Sequence, residues 1–220
     1  MSDRWATFDC YGTLVDWMSG IRSTLARSFP ASDPDELLAR YLEVEARVQA
    51  GRGIPYRQVM AEAQAEVAQI EGLVLPAAQT QALADSLPSW PVFADVPASL
   101  RECRAGSWKI GILSNTDGDL LEASLESIGV EVDLRIVAGD IGSYKPAFEH
   151  WEAFFRQSRA ERDRHVHVAA SLFHDVEPCA ALGLPCIWIN RQAETSALPR
   201  AATLEDLTGL RAALDELVPA

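Results

Sequence analysis

The segment Trp5-Ala6-Thr7-Phe8-Asp9-Cys10-Tyr11-Gly12-Thr13-Leu14 joins a short apolar run to a polar turn that contains one glycine. The apolar run, residues 5–8, has the length and composition of a buried β-strand. Similar runs recur at residues 108–113, 134–138, 165–170 and 185–190. Helical patterns separate several of them, at residues 119–128, 147–157 and 176–181. Because continuous apolar strands that alternate with helices form parallel sheets with both faces covered, we predict an α/β fold.

Residues 16–90 differ in composition, since β-branched runs are almost absent and Ala, Leu, Glu, Gln and Arg dominate. Helices are predicted at residues 34–49 and 56–71, separated by Gly51-Arg52-Gly53. Ser32-Asp33-Pro34 gives the first of these helices capping candidates and a proline in its first turn. We therefore predict a core of residues 1–15 and 91–220 with a helical insertion of residues 16–90 after the first strand. The tail, residues 204–218, is predicted to be an amphipathic helix.

Charge and composition argue against several classes of protein. The 220-residue chain carries 19 Lys and Arg against 32 Asp and Glu, which gives a net charge of −13. This balance argues against a general nucleic-acid binder and against binding to an anionic membrane surface. The 4 cysteines show no zinc-type spacing, so we expect free thiols and no structural metal. Without a signal-peptide pattern or a run of roughly 18 apolar residues, a cytoplasmic location is expected.

Polar residues stand where the predicted strands end. They are Asp9, Ser114-Asn115, Lys145 and Asp175. Each alone is more typical of a turn or a helix cap than of a catalytic site. Because ligands of parallel sheets bind beyond the carboxyl ends of the strands, the four together indicate a site for covalent catalysis.

These residues lie in segments that resemble the four motifs of the haloacid dehalogenase (HAD) superfamily. Residues 8–16, beginning Phe8-Asp9-Cys10-Tyr11-Gly12-Thr13, resemble the first motif, and Leu113-Ser114-Asn115 the second. Tyr144-Lys145-Pro146 resembles the third motif, and residues 167–175 resemble the fourth. The resemblance implies a Rossmann-like core with a helical cap domain inserted after the first strand.

Two acidic residues typical of the phosphatases of this superfamily are absent from the matching positions. Tyr11 stands where those enzymes have a general acid, and Ala169-Ala170-Ser171 replaces the segment with their acidic magnesium ligand. Because Mg²⁺ prefers several oxygen ligands, we expect no metal and no cofactor. The Asp-x-Tyr-Gly-Thr pattern resembles the L-2-haloacid dehalogenases, whose leaving halide needs no proton. The resemblance thus implies hydrolysis of (S)-2-haloacids to 2-hydroxy acids.

By resemblance, Asp9 attacks the substrate carbon and forms an ester that water then hydrolyses. Lys145 keeps Asp9 ionised, because an opposite charge lowers a carboxylate's pKa. Asp175 orients Lys145 or the hydrolytic water. The resemblance assigns the remaining roles to Thr13 and Ser114, which position carboxylates, to Asn115, which faces the halide, and to Tyr11, in the wall around the halide.

The cap is expected to supply a cation for the substrate. Arg40 falls at the matching place on the first cap helix, five residues before Glu45, although an exposed arginine paired with a nearby acid is the alternative. Other cap arginines compete for the role, namely Arg22, Arg47, Arg52 and Arg57. His174 lies outside the family pattern, and its role, in activating water or in structure, stays open.

Other functions remain open at this stage. One is a HAD-type phosphatase for a small phosphomonoester with an atypical magnesium site. Another is a non-catalytic binding protein on this fold, and a third is a hydrolase for another carboxylate with a good leaving group. We expect a small carboxylate as partner, with no nucleic acid and no membrane. The oligomeric state is open, with a homodimer as the form that the resemblance suggests.

Overall fold

The computed structural model describes residues 2–220 and contains a six-stranded sheet at its centre. The strands are β1 (Arg4–Phe8), β2 (Trp108–Ser114), β3 (Leu134–Val137), β4 (His165–Ala169), β5 (Cys186–Ile189) and β6 (Ala202–Leu204). They run in the order β3-β2-β1-β4-β5-β6, and every pair is parallel. The predicted α/β fold is therefore confirmed. Because β1 lies between β2 and β4, the residues that follow β1 stand in the middle of the carboxyl edge.

Helices connect the strands and fill the segment between β1 and β2. That segment contains α1 (Trp17–Ser28), α2 (Pro34–Gln49), α3 (Tyr56–Ile70), α4 (Ala82–Ser86) and α5 (Val96–Ala105). The later helices are α6 (Gly118–Ile128), α7 (Ala138–Ile141), α8 (Glu149–Ser158), α9 (Glu177–Leu182) and α10 (Leu210–Leu217). Asp33 caps α2 by accepting from the backbone N–H groups of Asp35 and Glu36. The domain boundaries at residues 15/16 and 90/91 stay predictions.

Both faces of the sheet are covered by apolar side chains. One hydrophobic cluster joins strand residues such as Phe8 and Ile110 to α5, α6 and α10, and it continues into the helices between β1 and α5. A second cluster packs Trp151 and Phe154 of α8 against Trp5 of β1. Burial on both faces explains why the strands are continuous apolar runs rather than alternating ones.

The tail differs from its prediction. Residues 202–204 form the edge strand β6, which pairs with β5, and the terminal helix begins only at Leu210. Gly209, with φ of +77°, separates the two elements. The predicted start of this helix was wrong because Leu204 and Leu207, three residues apart, also fit the apolar face of a helix. Among residues 2–220, no helix has the length and hydropathy needed to cross a membrane.

Candidate active site

The carboxyl ends of the strands bring most of the predicted site residues to one cavity of about 240 Å³. Asp9 follows β1, Ser114 ends β2, and Asp175 lies in a single π-helical turn, Leu172–Val176, after β4. This turn forms because Ser171 accepts a hydrogen bond from the N–H of His174. The cavity is lined by Asp9, Tyr11, Ser114, Asn115, Lys145, His174 and Asp175, together with residues of α1, α2 and α3.

Lys145 is buried between the two catalytic carboxylate candidates. Its Nζ donates to Asp9 Oδ1 at 2.8 Å and to Asp175 Oδ1 at 2.7 Å. The third Nζ hydrogen bond, at 2.8 Å, goes to the carbonyl oxygen of Leu113. Because an ammonium group has three N–H donors, this geometry uses all of them and fixes the orientation of both carboxylates.

Thr13 holds the second oxygen of Asp9. Its hydroxyl donates to Asp9 Oδ2 at 2.9 Å and accepts from the backbone N–H of Ala170 at 2.9 Å. The loop after β1 is thus tied to the loop after β4 through a single hydroxyl. Asp9 is 7% exposed, so its carboxylate is open to the cavity and otherwise enclosed.

Burial and the neighbouring charges together shift the pKa of Asp9, Asp175 and Lys145. Burial raises the pKa of Asp9, and Lys145 offsets only part of that shift. Burial also acts on Asp175, but Lys145 and the hydrogen bond from His167 outweigh it and lower the pKa of Asp175. The pKa of Lys145 rises despite its burial, because both carboxylates favour the ammonium form. Lys145 thus favours the ionised form of both carboxyl groups, and it prevails over burial at Asp175.

Three further predicted residues line the cavity with different contacts. Ser114 Oγ is buried without a protein partner, so it is free to bind a ligand. Asn115 Oδ1 accepts from the N–H of Lys145 at 2.7 Å, and its Nδ2 donates to the Lys145 carbonyl at 3.0 Å. Tyr11 presents its ring to the cavity, while its hydroxyl lies 3.0 Å from Ser124 Oγ on α6. The Tyr11 hydroxyl is thus directed away from Asp9.

A buried hydrogen-bond chain extends from Asp175 into the sheet. His167 Nε2 lies 2.9 Å from Asp175 Oδ1, and His167 Nδ1 lies 2.8 Å from Thr7 Oγ1. Thr7 Oγ1 in turn lies 2.7 Å from His165 Nε2. Since a carboxylate only accepts, Nε2 of His167 carries a proton that it donates to Asp175. Asp175 Oδ2 is buried and has no protein partner, and Asp175 is one of the residues that line the cavity.

The donor set of the cavity does not fit magnesium, which some proteins of this fold bind. Its two central carboxylates, Asp9 and Asp175, both accept from Lys145. The positions that follow β4 hold Ala170 and Ser171 rather than an acid. Within residues 2–220, no cluster of three or more His, Cys, Asp or Glu side chains is arranged to hold a metal ion. Mg²⁺ would find too few oxygen ligands here.

Comparison with known proteins shows the family of this chain. Residues 4–183 match the family model of haloacid dehalogenase-like hydrolases. The chain belongs to the haloacid dehalogenase-like hydrolase family. This hydrolase is 26% identical over 217 residues to the (S)-2-haloacid dehalogenase of Pseudomonas sp. (strain YL), covering 94% of this chain and 91% of that protein.

Solved structures share the fold of this haloacid dehalogenase-like hydrolase. The L-2-haloacid dehalogenase from Xanthobacter autotrophicus, with chloropropionic acid covalently bound, superposes with a TM-score of 0.84 at 19% identity, covering 99% of this chain and 100% of that one. The magnesium-bound putative HAD-hydrolase YfnB from Bacillus subtilis superposes with a TM-score of 0.83 at 16% identity, covering 98% and 100%. The fold is thus shared by a haloacid dehalogenase and by a magnesium-bound HAD-hydrolase.

The structure places Arg40 outside the cavity of this hydrolase, away from the other predicted site residues. Arg40 is exposed on α2, where it pairs with Glu43 at 2.9 Å and with Glu71 at 3.2 Å. The competing cap arginines also pair with acids outside the cavity: Arg22 with Asp35, Arg47 with Glu66, Arg52 with Glu62, and Arg57 with Asp117 and Asp119. The face of α2 that meets the cavity carries Glu45 and Gln49 instead.

Sequence reasoning did not identify Arg191, which also lines the cavity of the hydrolase. Its guanidinium donates to the carbonyl oxygen of Thr13 at 2.9 Å and to Asp95 at 2.8 Å, and it stacks on Phe93. Through its hydrogen bonds to the Thr13 carbonyl, Arg191 therefore holds the loop that contains Asp9. The signal was available, since Arg191 follows β5 just as Asp9 follows β1.

Proposed function

We propose that this hydrolase removes halide from short 2-haloacids without a metal, through a covalent ester on Asp9. The observation that carries the proposal is the Asp9–Lys145–Asp175 arrangement beside Tyr11. It offers an oriented carboxylate nucleophile and a carboxylate oxygen on Asp175 without a protein partner, while the position two residues after Asp9 holds Tyr11, whose hydroxyl contacts Ser124, rather than an acid. A departing halide needs no proton, whereas most phosphate-ester leaving groups do.

In the first step an oxygen of Asp9 attacks C2 of the substrate in line with the carbon–halogen bond. The new C–O bond forms as that bond breaks, and its electron pair leaves with the halide. Lys145 and Thr13 aim the attacking carboxylate, and this orientation supplies much of the rate in such displacements. Ser114 Oγ, buried without a protein partner, is suited to hold the substrate carboxylate.

In the second step water attacks the Asp9 carbonyl carbon, and Asp175 Oδ2 accepts a proton from it as general base. The bond between this carbon and the former nucleophilic oxygen then breaks. One water proton ends on the hydroxyl of the 2-hydroxy acid, and the other is released as Asp9 returns to its carboxylate form. The water oxygen stays in Asp9.

Single turnover in H₂¹⁸O tests the ester. Mass spectrometry of the peptide that contains Asp9 should show one ¹⁸O after reaction with excess enzyme over (S)-2-chloropropionate. The Asp9→Asn variant, which keeps the size of the side chain, should neither turn over nor take up label. Label found in the 2-hydroxy acid instead would indicate direct attack of water on the substrate and would contradict the proposal.

The phosphatase alternative predicts a different response to metal. Chloride release should be unchanged in EDTA, and a panel of phosphomonoesters with Mg²⁺ should yield no phosphate. Phosphate release that EDTA abolishes would reject the proposal. A protein that binds 2-chloropropionate without releasing halide would instead be the non-catalytic binding protein.

A further inference from the structure

The wall of the cavity opposite Asp9 is formed by the helical segment between β1 and β2. Within the part of the chain that the structure describes, the residues of this segment that line the cavity are Trp17, Met18, Glu45, Gln49 and Tyr56. None of them is a cation. A carboxyl group thus occupies the side of the cavity where an anionic substrate would be expected to meet an arginine.

Glu45 is held in place by one strong hydrogen bond. Tyr56 on α3 donates its hydroxyl to Glu45 Oε1 at 2.6 Å. No ion pair of Glu45 exists among residues 2–220, whereas the neighbouring Glu43 on the outer face of α2 pairs with Arg40. Burial raises the pKa of Glu45 to about 7, although the Tyr56 hydrogen bond opposes the shift. Protonated and ionised forms of Glu45 are therefore both accessible near neutral pH.

The two cations of the cavity are already engaged. Lys145 uses its three donors on Asp9, Asp175 and a backbone carbonyl. Every guanidinium nitrogen of Arg191 donates to Thr13 or Asp95. With Glu45 ionised, a substrate carboxylate would enter a cavity with an excess of negative charge and lose its hydration there, which is strongly unfavourable.

We propose that Glu45 acts as a neutral carboxylic acid that donates a hydrogen bond to the substrate's carboxylate and makes binding of 2-haloacids depend on pH. The inference rests on the proposed function, and it makes Glu45 a determinant of specificity rather than a catalytic residue. Tyr56 keeps Oε1 occupied, so Oε2 is the atom that carries the proton. An acid–carboxylate pair of this kind supplies binding where the cavity has no free cation.

Several other titratable groups lie around Glu45. Tyr41 on α2, Tyr56 on α3 and Tyr144 beyond β3 have a pKa above that of a free phenol, because burial disfavours their ionised forms. Across the cavity, burial lowers the pKa of His174, so it is neutral near pH 7. The other charged groups that line the cavity are Glu194 and Arg191 after β5, and Asp9, Lys145 and Asp175 of the centre described above.

The test is the pH dependence of KM for (S)-2-chloropropionate between pH 5.5 and 9. For the wild type, KM should be lowest below pH 7 and rise about tenfold per pH unit above it, with kcat nearly constant, since one proton on Glu45 is required. Glu45→Gln keeps an acceptor for Tyr56 and a donor for the substrate, so its KM should stay low at every pH. Tyr56→Phe removes the hydrogen bond that favours ionised Glu45 and should move the rise in KM to higher pH.

Glu43→Gln is the matched control, because Glu43 lies on the outer face of the same helix. It should leave the pH profile of KM unchanged. A flat KM in the wild type, or the same rise in Glu45→Gln, would overturn the inference. A wild type that prefers 2-chloropropionamide over 2-chloropropionate at pH 6, and loses that preference in Glu45→Gln, would also overturn it, because Glu45 would then accept from a donor group.

Calorimetric binding of unreactive propionate separates this inference from the proposed function. Tight binding at pH 6 that weakens at pH 8.5, and a pH-independent affinity in Glu45→Gln, would support the carboxylate site even if no haloacid were turned over. Propionate binding that is equal at both pH values would overturn the inference even if haloacids were turned over normally.

Discussion

Asp175 accepts two hydrogen bonds on one oxygen, from His167 Nε2 at 2.9 Å and from Lys145 Nζ at 2.7 Å. Its other oxygen, Oδ2, is buried and has no partner in the protein. The two donors to Oδ1 thus fix the orientation of the whole carboxylate, including Oδ2. His167 is itself held by Thr7, so a residue of β1 controls the position of a carboxylate beyond β4.

Replacement of His167 by Leu should lower kcat about 10- to 100-fold, the effect expected from losing one hydrogen bond to a charged group. KM should change little, because His167 does not reach the cavity. The His167 hydrogen bond lowers the pKa of Asp175, so its loss should move the acid limb of the kcat profile to higher pH. Steady-state kinetics between pH 4 and 8 measures both effects.

The conservative variant His167→Gln should recover part of this loss, since its amide can donate to Asp175 Oδ1. Thr7→Val, which has nearly the shape of Thr, should shift the profile in the same direction as His167→Leu, while Thr7→Ser should not. Equal loss of activity in all four variants without a shift of the profile would show that the hydrogen-bond chain serves structure only.

The strand ends explain how much of the site the sequence could predict. Asp9, Ser114 and Asp175 follow apolar runs whose parallel arrangement was recognisable, and the sheet then brings their side chains together. His167 was assigned to a strand, but its partnership with Thr7 depends on the pairing of Thr7 with His167 across β1 and β4. Register between distant strands is a property of the folded sheet and leaves no local signal in one sequence.

The inward face of α2 could not be predicted for a related reason. Glu45 is five residues beyond Arg40, which places it roughly 140° around the helix at 3.6 residues per turn. Only the packing of Val44 and Val48 against α1 and α3 decides which of the two reaches the cavity. The family resemblance gave the position of Arg40 along the sequence. It did not show which face of α2 is turned toward the cavity.

Replacement of Lys145 by Met should abolish turnover, with a loss of at least roughly 10³-fold at pH 7. Asp9 and Asp175 would then face each other without the ammonium group, so at least one of them should take up a proton and Asp9 would lose its nucleophilic form. Halide release at pH 7 and circular dichroism measure activity and folding. Lys109→Met, at an exposed lysine paired with Asp3, is the control and should keep full activity.

Replacement of Arg191 by Met should lower the free energy of unfolding by about 2–3 kcal/mol, because the Asp95 carboxylate and the Thr13 carbonyl lose their shared donor. It should also lower kcat, since the Thr13 carbonyl anchors the loop of Asp9. Urea unfolding and halide release measure these changes. Arg22→Met, at an exposed ion pair, should change neither, and an unaffected Arg191→Met would contradict the anchoring role.

Replacement of Glu45 by Gln should change how stability depends on pH. The pKa of Glu45 rises from an ordinary 4.5 to about 7 on folding, so the folded protein holds a proton that the unfolded chain releases between these values. That contribution is complete below pH 4.5 and lost as pH rises to 7, so wild type should lose on the order of 3 kcal/mol relative to Glu45→Gln across this window. Urea unfolding at pH 4, 6 and 8.5 measures the difference, which Glu43→Gln should not reproduce. Parallel stability curves for wild type and Glu45→Gln would mean that folding leaves the pKa of Glu45 unchanged.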